Sequence, residues 1–152
     1  MKHEEELLKK AEEVSCRYKL EGYHCSEAVI RTLNDVFELH MSKDLLRAAC
    51  GFRGGGGGYR DRCGIIEAGI LTISFLYGRD CAEEDSEGYS FLIRLLHERF
   101  REHFGTIRCL DIYTAQKKEN VPVTCLDPIR EGTVLIAQLL LEAEELLKEI
   151  PA

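Results

Sequence analysis

From Cys63 to Gly78 the chain reads CGIIEAGILTISFLYG, a run that is apolar on nearly every side when wound into a helix, with Glu67 as its one charged residue before Gly78. A helix of that kind is stable only when neighbours cover most of its faces. Ile and Thr would also suit a strand, but the length of the run, the stop at Gly78 and the helical pattern on both sides favour helix. It falls short of the ~18 apolar residues a membrane span needs. The chain is therefore built around a buried central helix, and the rest must supply its cover.

The flanking sequence has the periodicity to do so. Residues from about Glu4 to Leu20 put Leu7, Leu8, Ala11, Val14, Cys16, Tyr18 and Leu20 broadly on one side, with a stop near Gly22. A second helix follows Ser26 as its N-cap and spaces Ala28, Val29, Leu33, Val36 and Phe37 at helical intervals. Ser42 caps a short third helix that ends at or soon after Gly51. Beyond the central helix, Phe91, Leu92, Leu95, Leu96, Phe100 and Phe104 recur at helical spacing up to Gly105, and a short helical turn fits IRCLDIY. Pro122 and Pro128 break the polar stretch that follows, and Asp127 with Pro128 reads as the N-cap and first residue of the last helix. The expected fold is an all-α, single-domain bundle of about five or six helices over residues 1–152, long enough to bury a core without staples.

Composition removes several classes of function. The net charge is −7, and Lys and Arg alternate with Asp and Glu without a basic stripe, which argues against nucleic-acid binding. The N-terminus, MKHEEELLKKAEEV, is amphipathic and acidic, unlike a secretory signal. A cytoplasmic protein without a membrane span is expected, with homo-oligomerisation left open. Seven cysteines are many for such a chain, and an odd count cannot be fully paired within it.

The cysteines fall near helix ends. Cys25 precedes Ser26, Cys63 opens the apolar helix, and Cys125 lies just ahead of Pro128, while Cys109 follows Gly105 in a short segment. Unpaired N–H groups and the helix dipole stabilise a thiolate at such positions, and a thiolate is what metals and disulfide exchange require. No CxxC pair or CxxCH is present, so a zinc ribbon, a thioredoxin-like motif and covalent haem are not indicated. Four separated cysteines can still converge in a bundle, and both tetrathiolate zinc and a two-iron cluster take four sulfurs. Cys16 reads as a small core residue, Cys81 as a tolerated loop residue, and Cys50, next to the glycine run, as ambiguous.

Between Cys50 and Gly69 the sequence CGFRGGGGGYRDRCGIIEAG places five consecutive glycines ahead of Cys63. Side-chain-free backbone can come close to a bound group, so Gly54, Gly55, Gly56, Gly57, Gly58 and Gly64 are candidate cofactor-binding residues. Arg53, Arg60 and Arg62 add positive charge, but the run lacks the lysine and hydroxyl of a P-loop and no strand precedes it. A thiolate or sulfide is also an anion, and the same nest of amides suits a cluster better than a nucleotide.

The order HCSEAV, GFRGGGGG, CGIIEAG, FGTIRC and a last cysteine before the final helix resembles the C-GCAxxG-C-C family of putative redox-active proteins, over most of the chain. The resemblance implies that Cys25, Cys63, Cys109 and Cys125 are the family's four cysteines. It also implies a helical redox domain, related to one beside haem in split-Soret type cytochromes, with a bound iron–sulfur centre. Ile65 stands where that motif has alanine and Ala68 where it has glycine, with Gly69 one place later.

Other residues complete the expectations. His24, beside Cys25, is the histidine placed to act as a ligand or donor there, whereas His97 and His103 are not stacked on one helix face. His40 reads as a capping residue. Glu67 inside the apolar helix calls for a partner, Arg60 or Arg62. Tyr23 and Tyr59 flank the first two family cysteines and are placed to shield them. The preferred function is an iron–sulfur protein, two-iron, exchanging electrons with a partner. The rival readings are a metal-free thiol–disulfide or redox-sensing protein using the same cysteines, and a structural zinc or helical interaction module.

Overall fold

The computed structural model describes residues 2–150. Among the described residues there are seven α-helices: α1 Lys2–Leu20, α2 Cys25–Val36, α3 Lys43–Ala48, α4 Gly64–Tyr77, α5 Glu87–Phe104, α6 Cys109–Ala115 and α7 Leu126–Leu147. A 3-10 segment, Ala49–Gly55, links α3 to the glycine run and breaks at Arg53 and Gly54, where the backbone leaves helical geometry. The all-α expectation holds, with one or two helices more than foreseen. The Ser42-capped segment and the IRCLDIY turn both form helices, α3 and α6, which brings the count to seven. Among the described residues no helix is long and apolar enough to cross a membrane.

Helix α4 is the centre of the bundle. It packs against α2, α5, α7 and the 3-10 segment, while α1 closes the outside against α2 and α7. Ile65, Ile66, Ala68 and Ile73 of α4 are buried with Val29, Ile30 and Leu33 of α2, Leu92, Leu96 and Phe100 of α5, and Ile129, Ile136 and Leu139 of α7. The close approach of α7 to α4 is set by Gly132, where an added Cβ would stand 2.4 Å from Ile65 Cγ2. Only the last turn of α4 leaves this cover, exposing Phe75 and Leu76.

Helix ends follow the sequence in part. Gly22 takes a left-handed φ of +106° and the Tyr23 amide donates to the Tyr18 carbonyl, closing α1. Ser42 Oγ accepts from the Leu45 amide, and Gly105 ends α5 in the left-handed region. Two N-termini start earlier than expected. His24, not Ser26, caps α2; Ser26 is buried and its hydroxyl donates to the Ala49 carbonyl, tying α2 to the 3-10 segment. Cys125, not Asp127, is the cap of α7, which leaves Asp127 and Pro128 inside the first turn, where proline is still tolerated. Cys16 is half-buried outside the core, and the buried residue beside it is Ser15, while Leu20 is exposed.

Candidate functional site

Each of the four family-type cysteines stands at the start of a different helix. Cys25 and Cys109 are the first residues of α2 and α6, and Cys63 and Cys125 are the caps of α4 and α7. All four line one cavity of about 120 Å³, together with Lys19, His24, Arg53, Gly54, Arg60 and Tyr113 among others. Cys16, Cys50 and Cys81 are not in that lining. Cys50 and Cys81 are exposed.

A short backbone ladder ties together the segments that carry two of the cysteines. The Cys63 amide donates to the Ile107 carbonyl at 2.8 Å, and the Cys109 amide donates to the Asp61 carbonyl. Arg62 and Arg108 form the isolated bridge between these segments. The loop before α4 and the loop before α6 are thus locked in register, each delivering a cysteine to the same end of the bundle.

The glycine run folds into a chain of tight turns beneath this ladder. All of Gly54 to Gly58 have positive φ, between +55° and +91°. At Gly55 a Cβ would lie 2.3 Å from the Asp61 nitrogen, so the backbone of the run passes directly against the segment that leads to Cys63. The Gly54 amide donates to Cys25 Sγ at 3.4 Å. Gly64 lines the cavity as well, and a Cβ there would stand 2.7 Å from both Cys25 Sγ and the Phe52 carbonyl oxygen. Gly55, Gly56, Gly57 and Gly58 are outside the lining. The amides of Gly56, Gly57 and Gly58 serve the turn itself, donating to the carbonyls of Gly51, Phe52 and Arg53, and the Gly55 carbonyl accepts from the Asp61 amide.

Donors reach the other sulfurs from side chains. Arg60 Nη1 donates to Cys109 Sγ at 3.5 Å while its guanidinium lies 4.0 Å from the centre of the Tyr113 ring. Gln116 Nε2 donates to Cys125 Sγ at 3.2 Å. Cys63 is 4% exposed, and burial pushes its thiol up to about 12, opposed by the first-turn amides of Ile65 and Ile66 and reinforced by Cys25 and Cys109. Burial likewise raises Cys25, with the Gly54 and Ser26 amides opposing and Cys125 and Cys109 reinforcing. The thiols act on one another because they share one pocket.

The shell behind Cys63 is an ion-pair chain. Arg62 Nε donates to Glu67 Oε1 at 2.6 Å, so Arg62 is the partner of the carboxylate inside the apolar helix. The same guanidinium lies 2.8 Å from His97 Nε2, and His97 Nδ1 lies 2.8 Å from the Ile93 carbonyl. The carbonyl can only accept, which places the imidazole proton on Nδ1 and leaves Nε2 to accept from Arg62. His103 is engaged elsewhere, by Glu131. His24 lines the cavity, its basicity lowered by burial and then by Arg53. Tyr59 is 85% exposed and shields nothing, and Tyr23 packs edge-on against Tyr18 away from the cavity. The aromatic wall is Tyr113 instead.

The family described as "putative redox-active protein (C_GCAxxG_C_C)" matches residues 23–139, which include all four cavity cysteines. The chain belongs to the C_GCAxxG_C_C family. No curated protein and no solved structure matches it. The family match begins at Tyr23, just ahead of Cys25, and ends within α7, so it takes in every cavity-lining residue but Lys19 and leaves all of α1 outside. Lys19, which comes from α1, is therefore a cavity residue that the family pattern does not cover.

Four soft donors around one cavity fit a sulfur-ligated metal group. Among the described residues no group of three or more His, Cys, Asp or Glu side chains is closed around a point that could hold a single metal ion.

Proposed function

We propose that this redox-family protein holds an iron–sulfur cluster, a two-iron one, on Cys25, Cys63, Cys109 and Cys125, and exchanges electrons with a partner in the cytoplasm. The observation that carries the proposal is the convergence of four helix-start cysteines on one cavity. When bound, such a cluster supplies a one-electron couple whose potential is set by charge, hydrogen bonds to sulfur and solvent access. The chain's own residues address each of these. Gly54, Arg60 and Gln116 donate to three of the sulfurs, the core residues Ile65 and Ile129 form the dry wall, and Gly64 lets Cys25 come against α4. Arg62, anchored by Glu67 and His97, stiffens the loop that delivers Cys63.

The metal-free thiol–disulfide reading is less well supported. A thiol held protonated by burial is a poor nucleophile, whereas a metal displaces its proton. Cys25 and Cys63 are both of that kind. Anaerobic expression followed by iron and acid-labile sulfide analysis tests the proposal: brown protein with both elements is expected. Colourless, iron-free protein whose free-thiol count falls under mild oxidant would replace it with the dithiol reading, and one equivalent of zinc indifferent to redox poise would replace it with a structural site.

A further inference from the structure

The cavity carries charge of one sign. Lys19, Arg53 and Arg60 line it together with His24, and no Asp or Glu is among the lining residues. Among the described residues, none of these three strong cations forms a salt bridge. This stands against a chain whose net charge is −7. Arg60 is built into the wall, on Tyr113 and Cys109. Arg53 is not used in the same way: its Nε is buried and has no hydrogen-bond partner, a condition native proteins rarely leave unexplained. The Glu27 carboxylate near His24 lies outside the lining and accepts from the His24 amide at 3.1 Å.

We infer that the cavity mouth is an anion-selective entrance, and that the redox substrate or electron carrier reaching the four sulfurs is a small anion. A small ligand is favoured over the acidic face of a protein because Lys19, Arg53 and Arg60 are half-buried in cavity walls that include Tyr113 and Val123, instead of fanning over an open surface. Half-buried cations flanked by apolar walls focus their field into the opening and raise the local concentration of anions. The inference rests on the proposed function in taking this cavity as the working site, and on Lys19, Arg53 and Arg60 outweighing the negative charge that a thiolate-bound centre carries.

The test uses the reduced full-length protein as purified and two one-electron oxidants of opposite charge, ferricyanide and hexaammineruthenium(III), mixed by stopped flow. Each oxidant gains one electron and the protein loses it; a dithiol would give up two in succession and release two protons. The expected result is a ferricyanide rate that falls as salt is added and a ruthenium rate that rises, the reverse of what the net charge dictates. Combining Lys19→Gln with Arg53→Gln lowers the ferricyanide rate about tenfold at low ionic strength, at the low end of steering effects, and Arg53→Lys restores most of the loss. Ferricyanide accelerated by salt in the wild-type protein overturns the inference, as does a double variant with an unchanged rate. The wild-type salt dependence decides the matter even where a variant fails to fold. Iron content reports separately on the cofactor, so the two readings fail independently.

Discussion

Gly55→Ala and Gly57→Ala change neighbouring glycines of one run by the same single carbon, and the structure assigns them different outcomes. Both positions have left-handed backbone, φ +76° and +59°. That conformation costs an L-residue roughly 1–2 kcal/mol, while restricting the unfolded chain returns roughly 0.4–1 kcal/mol. At Gly57 nothing lies within 4 Å of the new carbon, so the net loss is at most about 1.6 kcal/mol. At Gly55 the new carbon would stand 2.3 Å from the Asp61 nitrogen and 2.6 Å from Arg60 Cα, both backbone atoms. No rotamer change relieves such an overlap, and overpacking adds about 1–3 kcal/mol. The net loss at Gly55 is then about 1–5 kcal/mol. At about 2–4 °C per kcal/mol for a chain of this size, the melting temperature falls roughly 2–20 °C for Gly55→Ala and no more than about 6 °C for Gly57→Ala. Displacing Asp61 also moves the carbonyl that receives the Cys109 amide, so iron per chain drops with Gly55→Ala and holds with Gly57→Ala. Thermal unfolding by circular dichroism and iron analysis read both. Equal melting temperatures for the two variants would refute the claim that the run is packed against the Cys63 loop.

Three further outcomes follow from the same geometry. Cys63→Ser should lose colour and lower the melting temperature of the loaded protein, because bound metal contributes folding free energy, whereas Cys50→Ser and Cys81→Ser, both at exposed thiols, should change neither; iron loss on Cys50→Ser would place a fifth ligand. In metal-free protein the buried Cys63 thiol keeps its proton to about pH 12 while the unfolded one releases it near 9.0. The unfolded state then binds fewer protons between those values, so stability falls with rising pH across that window by up to about 1.4 kcal/mol per unit. Cys63→Ala removes that part of the slope in melting temperature against pH, and identical slopes would show that the thiol is not buried. Phe100→Ala empties a fully buried site beside Phe104 and should cost about 3–5 kcal/mol; a loss below 1 kcal/mol in urea unfolding would mean that α5 does not pack as described.

Much of the fold was legible because long helices advertise a period and an end. The central apolar run, the α5 stripe ending at Gly105 and the Ser42 cap all appear where periodicity and capping chemistry put them. Helix starts were harder to read. A serine after Cys25 and an Asp-Pro after Cys125 look like caps, yet tertiary packing gives the hydroxyl of Ser26 a buried carbonyl and lets the chain turn at Cys125 with φ +61°. The four cysteines were identifiable as a set through the family pattern. Their convergence depends on the ladder between Arg62 and Arg108, which no local signal announces. Tyr113 and Lys19 are ordinary helix residues in sequence and reach the cavity only because α6 and α1 dock where they do, and Gln116, at the end of α6, reaches Cys125 Sγ for the same reason. The glycines were read as an approach to the sulfurs; Gly54 and Gly64 lie in the cavity lining, while the rest of the run shapes the loop beneath.

The placement of each cavity cysteine at the start of its own helix has a consequence for how the protein is made. Cys125 leaves the ribosome last of the four, and its side chain meets the others only once α7 has docked against α1 and α4. Each half of the chain carries two of the four cysteines, so a group held by all four sulfurs is completed only when both halves have folded together. Occupancy of the proposed centre would then report that all four helices have assembled.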